Sequence, residues 1–275
     1  MERERIVFIG GGNMARSLIG GLMAGGWPAE RITVTDPSAD QRELLASRFG
    51  VTTAADNEAA IADADVVVLA VKPQLMEQVC QGLAPALAGA QPLIVSIAAG
   101  VRMEAITRWL SYDGPVVRCM PNTPSLVQAG VTALFPNHRV SEDQCSTAES
   151  ILRAGGSVIR VDDEKLMDTV TGISGSGPAY FFRIMEALEE AGVARGLPRD
   201  KARLLVIETA LGAARMALES EDDPGTLRQN VTSKGGTTAA ALDTFEAGGL
   251  AELVDRAVGA ATERAGELGD QLGGR

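Results

Sequence analysis

At 275 residues, with 45% hydrophobic and 22% charged side chains, the chain has the composition of an ordinary globular protein about two domains long, which excludes disorder. Its 25 Lys and Arg against 36 Asp and Glu leave a formal net charge of −11, which excludes a general nucleic-acid binder because phosphate contacts need clustered basic residues. The longest strongly apolar run, residues 66–71, falls far short of the roughly 20 residues that span a bilayer, so no membrane partner is expected.

The N-terminus, Met1-Glu2-Arg3-Glu4-Arg5, mixes charge signs and runs directly into Ile6-Val7-Phe8-Ile9, unlike a secretory signal. Cys80, Cys119 and Cys145 are scattered without metal spacing and suit a reducing compartment, so a cytoplasmic location is expected. With His138 as the only histidine, a His-based zinc site or catalytic triad is not expected. Residues 1–161 carry 13 basic and 16 acidic side chains and residues 162–275 carry 12 and 20, so a polyanionic ligand belongs with the first part.

In chain order, short β-branched runs at 6–9, 32–35, 51–53, 66–71, 93–97 and 116–119 read as strands. Helical segments at 13–24, 39–49, 57–62, 73–88 and 103–110 fall between them. A helix at 141–154 and a strand at 157–161 close the sheet. This alternation predicts an α/β domain over 1–161, a doubly wound parallel sheet covered by helices. After Asp162 the strand signals stop, and apolar residues recur at helical spacing over 164–171, 178–194, 199–220, 226–231, 237–247 and 250–268. An all-α domain over 162–275 is predicted.

The first strand leads into Gly10-Gly11-Gly12-Asn13-Met14-Ala15 and a helix, the G-x-G-x-x-G/A dinucleotide spacing in its strand-turn-helix context. Gly10 permits the tight turn, Gly12 admits a pyrophosphate to the backbone, and Ala15 lets helix and strand pack closely, as in a Rossmann-type fold. A glycine-rich turn without a ligand is the alternative; the position at the head of a βα domain favours a dinucleotide. At the end of the second strand, Asp36 is placed to accept from an adenosine ribose and points to NAD, while Ser38 and Arg42 just beyond can face a 2′-phosphate. A turn residue before Pro37 also accounts for Asp36.

In the second part, Gly172-Ile173-Ser174-Gly175-Ser176-Gly177-Pro178 precedes a long helix and reads equally as a close domain contact or an ordinary cap. The run Asn230-Val231-Thr232-Ser233-Lys234-Gly235-Gly236-Thr237-Thr238 opens another helix. There, free N–H groups and hydroxyls at the positive end of the helix dipole suit a small carboxylate. Capping by Thr237 or Ser233 is the alternative.

Taken together, the chain resembles the pyrroline-5-carboxylate reductases over essentially its whole length. The resemblance is carried by the glycine loop with Ile9, by Ala70-Val71-Lys72-Pro73, Ser96-Ile97-Ala98-Ala99-Gly100 and Met120-Pro121-Asn122-Thr123-Pro124. Gly172 to Tyr180 and Asp223 to Glu246 carry it further and are specific to that family rather than to dinucleotide folds. It implies NADPH as cofactor, with NADH also accepted by many members. The implied cofactor contacts are Ile9, Gly10, Gly11, Gly12, Asn13, Met14, Asp36, Ser38, Asn57, Ala70, Val71, Lys72, Pro73, Ser96, Ile97 and Ala98. The implied substrate contacts are Glu164, Asn230, Thr237 and Thr238, with Ser233, Gly235 and Gly236 alongside. It further implies an intertwined homodimer through the helical domain, with the helix at 199–220 as an interface element, often assembled as a pentamer of dimers.

The reaction so implied is hydride transfer to the C=N carbon of 1-pyrroline-5-carboxylate, giving proline. An imine can be protonated in water before it binds, so orientation and a hydrogen-bond partner at nitrogen suffice. Thr238 is the candidate partner, with the Gly235–Thr237 amides holding the carboxylate. Two rivals stand beside this reading. The β-hydroxyacid dehydrogenases share the spacing at Gly172, Gly175 and Gly177 but place a catalytic lysine where this chain has Phe181, and oxidising an alcohol needs a base. A non-catalytic dinucleotide sensor would bind cofactor without turnover.

Overall fold

The computed structural model describes residues 3–273. They form two compact units, residues 3–176 with 260–273, and Gly177–Gly259. This division by packing lies away from the division by element type at 161/162, for a physical reason. Glu164 and Asp168 pair with Arg118 and Arg102 of the sheet unit, and Asp270 near the end of the chain pairs with Arg102 as well.

The sheet unit contains β1 (Ile6–Ile9), α1 (Asn13–Ala24), β2 (Ile32–Thr35), α2 (Ala39–Phe49), β3 (Thr52–Ala54), α3 (Asn57–Ile61), β4 (Val66–Leu69) and α4 (Met76–Leu87). It continues with β5 (Leu93–Ser96), α5 (Met103–Leu110), β6 (Val116–Met120), β7 (Gly130–Pro136), α6 (Glu142–Leu152), β8 (Gly156–Arg160) and α7 (Leu166–Val170). The strand order is β3-β2-β1-β4-β5-β6-β7-β8. All pairs are parallel except β6 with β7. Helices cover both faces, so β1, β4 and β5 are buried along their whole length. One core layer gathers Ile6, Phe8, Leu18, Val34 and Val68 on one face; the other gathers Val7, Ile9, Leu69, Leu83 and Ile106.

Strand β7 departs from the expected layout. The chain turns back through a 3-10 turn, Thr123–Val127, and Gln128 in the left-handed region at φ 57°, so β7 returns antiparallel beside β6 without a crossover helix. Strands β4 and β5 stop at Leu69 and Ser96, one or two residues early, which frees residues 70–73 and 97–102 as loops at the carboxyl edge of the sheet.

The helical unit holds α8 (Gly177–Val193), α9 (Arg199–Glu219), α10 (Pro224–Asn230), α11 (Thr237–Ala247) and the first part of α12 (Leu250–Gly273). Arg199 bridges Glu189 and Glu190 at 2.8 and 2.7 Å and Arg203 meets Glu189 at 3.0 Å, tying α8 to α9. The unit has almost no interior of its own. Gly177 and Ala202 are the buried residues of α8 and α9, and α10 and α11 have none. Phe181 and Phe182 stand 64% exposed on α8, and Leu204, Ile207, Leu211 and Leu218 form an exposed stripe along α9 at helical spacing.

Candidate active site

The order of the sheet reverses between β1 and β4, and in a doubly wound sheet the crevice beyond that switch point receives the ligand. A cavity of about 600 Å³ opens there. Of the residues expected at a cofactor, Ile9, Gly10, Gly11, Gly12, Asp36, Asn57, Ala70, Val71 and Lys72 line it. Asn13, Met14, Ser38, Pro73, Ser96, Ile97 and Ala98 do not. Asn13 and Met14 open α1, where Asn13 accepts from Arg16, and Ser96, Ile97 and Ala98 lie buried at the end of β5. The cavity wall also includes Thr35, Ala55, Asp56 and Gln78. Thr35 to Pro37 and Ala55 to Asn57 leave the carboxyl ends of β2 and β3, so strand order was the signal for them.

Each glycine of the loop answers to a different constraint. Gly10 has φ 99°, and a Cβ there would lie 2.9 Å from the Ala70 carbonyl oxygen. At Gly11 a Cβ would lie 2.5 Å from Leu45 Cδ1. Gly12 is open, with nothing within 4 Å of an added Cβ, which is the cradle a pyrophosphate needs beside the amides of the α1 N-terminus. A second sign of a ligand is Ser96, which is fully buried with its hydroxyl unpartnered among the described residues. The residues present therefore fit a dinucleotide.

The Asp36 carboxylate does two jobs in this turn. Oδ2 accepts from the Gly11 amide at 3.0 Å and Oδ1 from the Ser38 amide at 2.9 Å, pinning the glycine loop to the end of β2. Ser38 Oγ caps α2, accepting from Gln41 N at 3.3 Å. The Arg42 guanidinium donates to the Asp36 and Pro37 carbonyls at 2.7 and 3.1 Å, which sets a cation against the same turn.

In the helical unit, Asn230 ends α10 and its Nδ2 donates to Asp222 at 3.4 Å. Gly235 takes φ 71°, and Gly236 donates its amide to the Ser233 carbonyl at 3.0 Å. A Cβ on Gly236 would meet Ser233 Oγ at 2.4 Å, so this tight turn needs both glycines. Gly236 is the N-cap of α11, in extended conformation and with no side-chain cap. Capping by Ser233 or Thr237 is thus not what the loop does. Thr237 and Thr238 occupy the first turn of α11, where amides have no helical partner. Of the Gly235–Thr237 amides expected to hold a carboxylate, that of Gly236 is already engaged.

Glu164 lies in the sheet unit, where its Oε1 accepts from Arg118 Nη1 and from Met103 N, each at 2.7 Å. Residues 172–178 resolve into a π-helical turn, Thr171–Gly175, and the start of α8. Asn122 Nδ2 donates to Ser174 at 3.3 Å, and a Cβ at Gly175 would meet Met120 Cε at 2.3 Å, so the segment packs against the end of β6. All three cysteines are free and buried, and burial pushes the Cys80 thiol up to about 12, keeping it protonated. Among the described residues no cluster is placed to hold a metal, and no helix is long and apolar enough to cross a membrane.

Comparison with known proteins finds matches along nearly the whole chain. The family description "Pyrroline-5-carboxylate reductase dimerisation" matches residues 164–268, and "NADP oxidoreductase coenzyme F420-dependent" matches residues 5–100. A pyrroline-5-carboxylate reductase of Pseudomonas aeruginosa is 53% identical over 99% of this chain and 100% of its own. The solved structure of a pyrroline-5-carboxylate reductase from Coxiella burnetii aligns with a TM-score of 0.94 at 49% identity, covering 97% of this chain and 99% of that one. That of a Plasmodium falciparum pyrroline carboxylate reductase with NADP bound aligns at 0.84 and 30% identity, covering 98% and 100%. Identity at this level over nearly the whole length shows that the chain belongs to the pyrroline-5-carboxylate reductase family.

Proposed function

We propose that this chain reduces 1-pyrroline-5-carboxylate to L-proline with NADPH, and with NADH as an accepted alternative. The observation that carries the reading is the uncapped start of α11 with Thr237 and Thr238 on its first turn, in a chain that also builds a glycine-rich dinucleotide cleft. Reduced nicotinamide supplies the hydride to the C=N carbon, and the nitrogen keeps the proton it carries as an iminium. The chain's own part is to bind and orient. The free first-turn amides of α11 hold the substrate carboxylate, the Thr238 hydroxyl meets the nitrogen, and Asn230, Ser233, Gly235 and Gly236 complete the pocket. Ile9–Met14, the Asp36–Ser38 turn, Asn57, Ala70–Pro73 and Ser96–Ala98 receive the cofactor. In this division of labour residues 1–161 serve the dinucleotide and 162–275 serve substrate and assembly.

Following absorbance of NADPH or NADH at neutral pH with and without pyrroline-5-carboxylate tests the reading directly. Oxidation that depends on substrate supports it, and its absence with both cofactors sinks it. Binding without turnover would mark a sensor instead.

Asp36 sets the cofactor preference. Its carboxylate would oppose a 2′-phosphate, so Asp36→Ser should move the NADPH/NADH ratio of kcat/KM toward NADPH by about tenfold, the factor that ~1.4 kcal/mol represents. A ratio that stays put would place Asp36 outside the adenosine site.

The exposed apolar faces of α8 and α9 are read as the seam of a homodimer, itself repeated as a pentamer of dimers in the cytoplasm. One chain leaves these side chains in water, and a second copy of the same surface would cover them. Leu211→Glu places a charge in the α9 stripe and should yield monomers by light scattering together with loss of activity. A variant that keeps the wild-type mass would remove α9 from the seam.

A further inference from the structure

Arg118 sits in the middle of an apolar sheet, on β6, with 3% of its side chain exposed. A guanidinium is buried to that extent only with partners. Its Nη1 donates to Glu164 Oε1 at 2.7 Å, and its Nη2 lies 4.0 Å from Asp168 Oδ1. The same Glu164 oxygen accepts from the amide of Met103, the first residue of α5. Helix α5 has no side-chain cap of its own, because Arg102 stands at the N-cap and carries no acceptor. A carboxylate brought from 61 residues along the chain therefore supplies the cap, and Arg118 holds that carboxylate in place.

The consequence falls on the loop at residues 97–102, between β5 and α5. Its near end is fixed by the Ile97 amide on the Leu69 carbonyl at 3.1 Å. Its far end is fixed by the Arg118–Glu164–Met103 clasp, while Arg102 is drawn off to Asp270 at 3.1 Å and Asp168 at 3.7 Å. Gly100 bends it at φ 76°. The loop leaves the carboxyl edge of β5 beside β4, whose following residues Ala70–Lys72 line the dinucleotide cleft. At its head stands Ser96, the register neighbour of Arg118, whose buried hydroxyl has no hydrogen-bond partner among the described residues.

We propose that Arg118 is a positioning residue for the dinucleotide: through Glu164 it anchors the Met103 amide and keeps the 97–102 loop in the form that receives the cofactor. The proposal rests on the reading of this sheet edge as the dinucleotide site. Releasing the clasp lets the loop leave that form, and the apparent affinity falls by the fraction of molecules that remain competent. Removing one cap of this kind predicts a loss of about three- to tenfold.

Isothermal titration of NADPH and of NADH into the purified full-length protein, with no substrate present, reads this directly. Arg118→Met should weaken both dinucleotides to the same degree, since the loop does not discriminate the 2′-phosphate, and Arg118→Lys should restore part of the loss. The number of sites per chain in these titrations should stay at the wild-type value while Kd rises, whereas misfolded protein would lower the number of sites and leave their affinity unchanged. Because both residues act through one clasp, Arg118→Met with Glu164→Ala should bind no more weakly than the worse single variant. Unchanged titrations in a folded Arg118→Met protein, or strictly additive losses in the pair, overturn the proposal. Should Arg118→Met fail to fold, Glu164→Ala at the partly exposed end of the pair decides in its place, weaker dinucleotide binding supporting the clasp and unchanged binding overturning it. Gly12→Val separates the two layers of the argument. If it too leaves binding intact, the cleft itself has been misplaced; if it alone abolishes binding, only the role of Arg118 is withdrawn.

Discussion

Gly12→Val should weaken NADPH and NADH binding by about 100-fold or more while the protein still folds. A loss of that size corresponds to ~3 kcal/mol, one or two hydrogen bonds to a charged phosphate at about 1.5–3 kcal/mol each. The fold should survive because Gly12 is extended at φ −65°, which valine adopts, and an added Cβ meets nothing within 4 Å. The space it would fill belongs to the cleft. Gly11 and Gly10 make poorer tests, since side chains there collide with Leu45 and with the Ala70 carbonyl and would damage the sheet unit itself. Equal titrations of wild type and Gly12→Val, with unchanged circular dichroism, would refute the assignment of the loop.

The glycine loop is legible in the sequence because strand, turn and helix start lie within about ten consecutive residues, although the contacts that exclude a side chain at Gly10 and Gly11 come from Ala70 and Leu45. The same holds for the α11 loop, where Gly235 and Gly236 mark a turn and the threonines follow it. Strand β7 is illegible for the opposite reason. Nothing within residues 130–136 states that the chain has just turned back, and the device that turns it, Gln128 at φ 57°, uses a residue with no turn signature. The burial of Arg118 is equally hidden, since its partner Glu164 lies 46 residues away and an arginine within a strand ordinarily reads as solvated. Asp36 shows a third case. Position alone marks it as a ribose acceptor or a turn residue, and its carboxylate is seen to serve the turn through the Gly11 and Ser38 amides while standing in the cleft wall. The exposed stripe of α9 reads from periodicity only as an apolar helix face, and it is the family resemblance that makes it an interface element, because periodicity records that a face is apolar and not which molecule will cover it.

The uncapped start of α11 makes Thr238 the most exacting test of the chemistry. Thr238→Val keeps the branched shape and removes only the hydroxyl. No side chain caps this helix in the wild type, so the substitution takes away no cap and should leave the fold intact. If the hydroxyl meets the iminium nitrogen, a hydrogen bond to a charged group worth about 1.5–3 kcal/mol disappears, and kcat/KM should fall roughly 10- to 150-fold. Dinucleotide affinity, measured without substrate, should barely move, because Thr238 belongs to the helical unit and the cleft of Gly10–Gly12 to the sheet unit. The split between the two measurements is what distinguishes the roles. Wild-type kcat/KM in Thr238→Val would reduce Thr238 to a residue that merely starts a helix, and a parallel loss of NADPH binding would show that its hydroxyl is structural. A drop confined to kcat/KM for pyrroline-5-carboxylate leaves the substrate nitrogen as the atom that the hydroxyl serves.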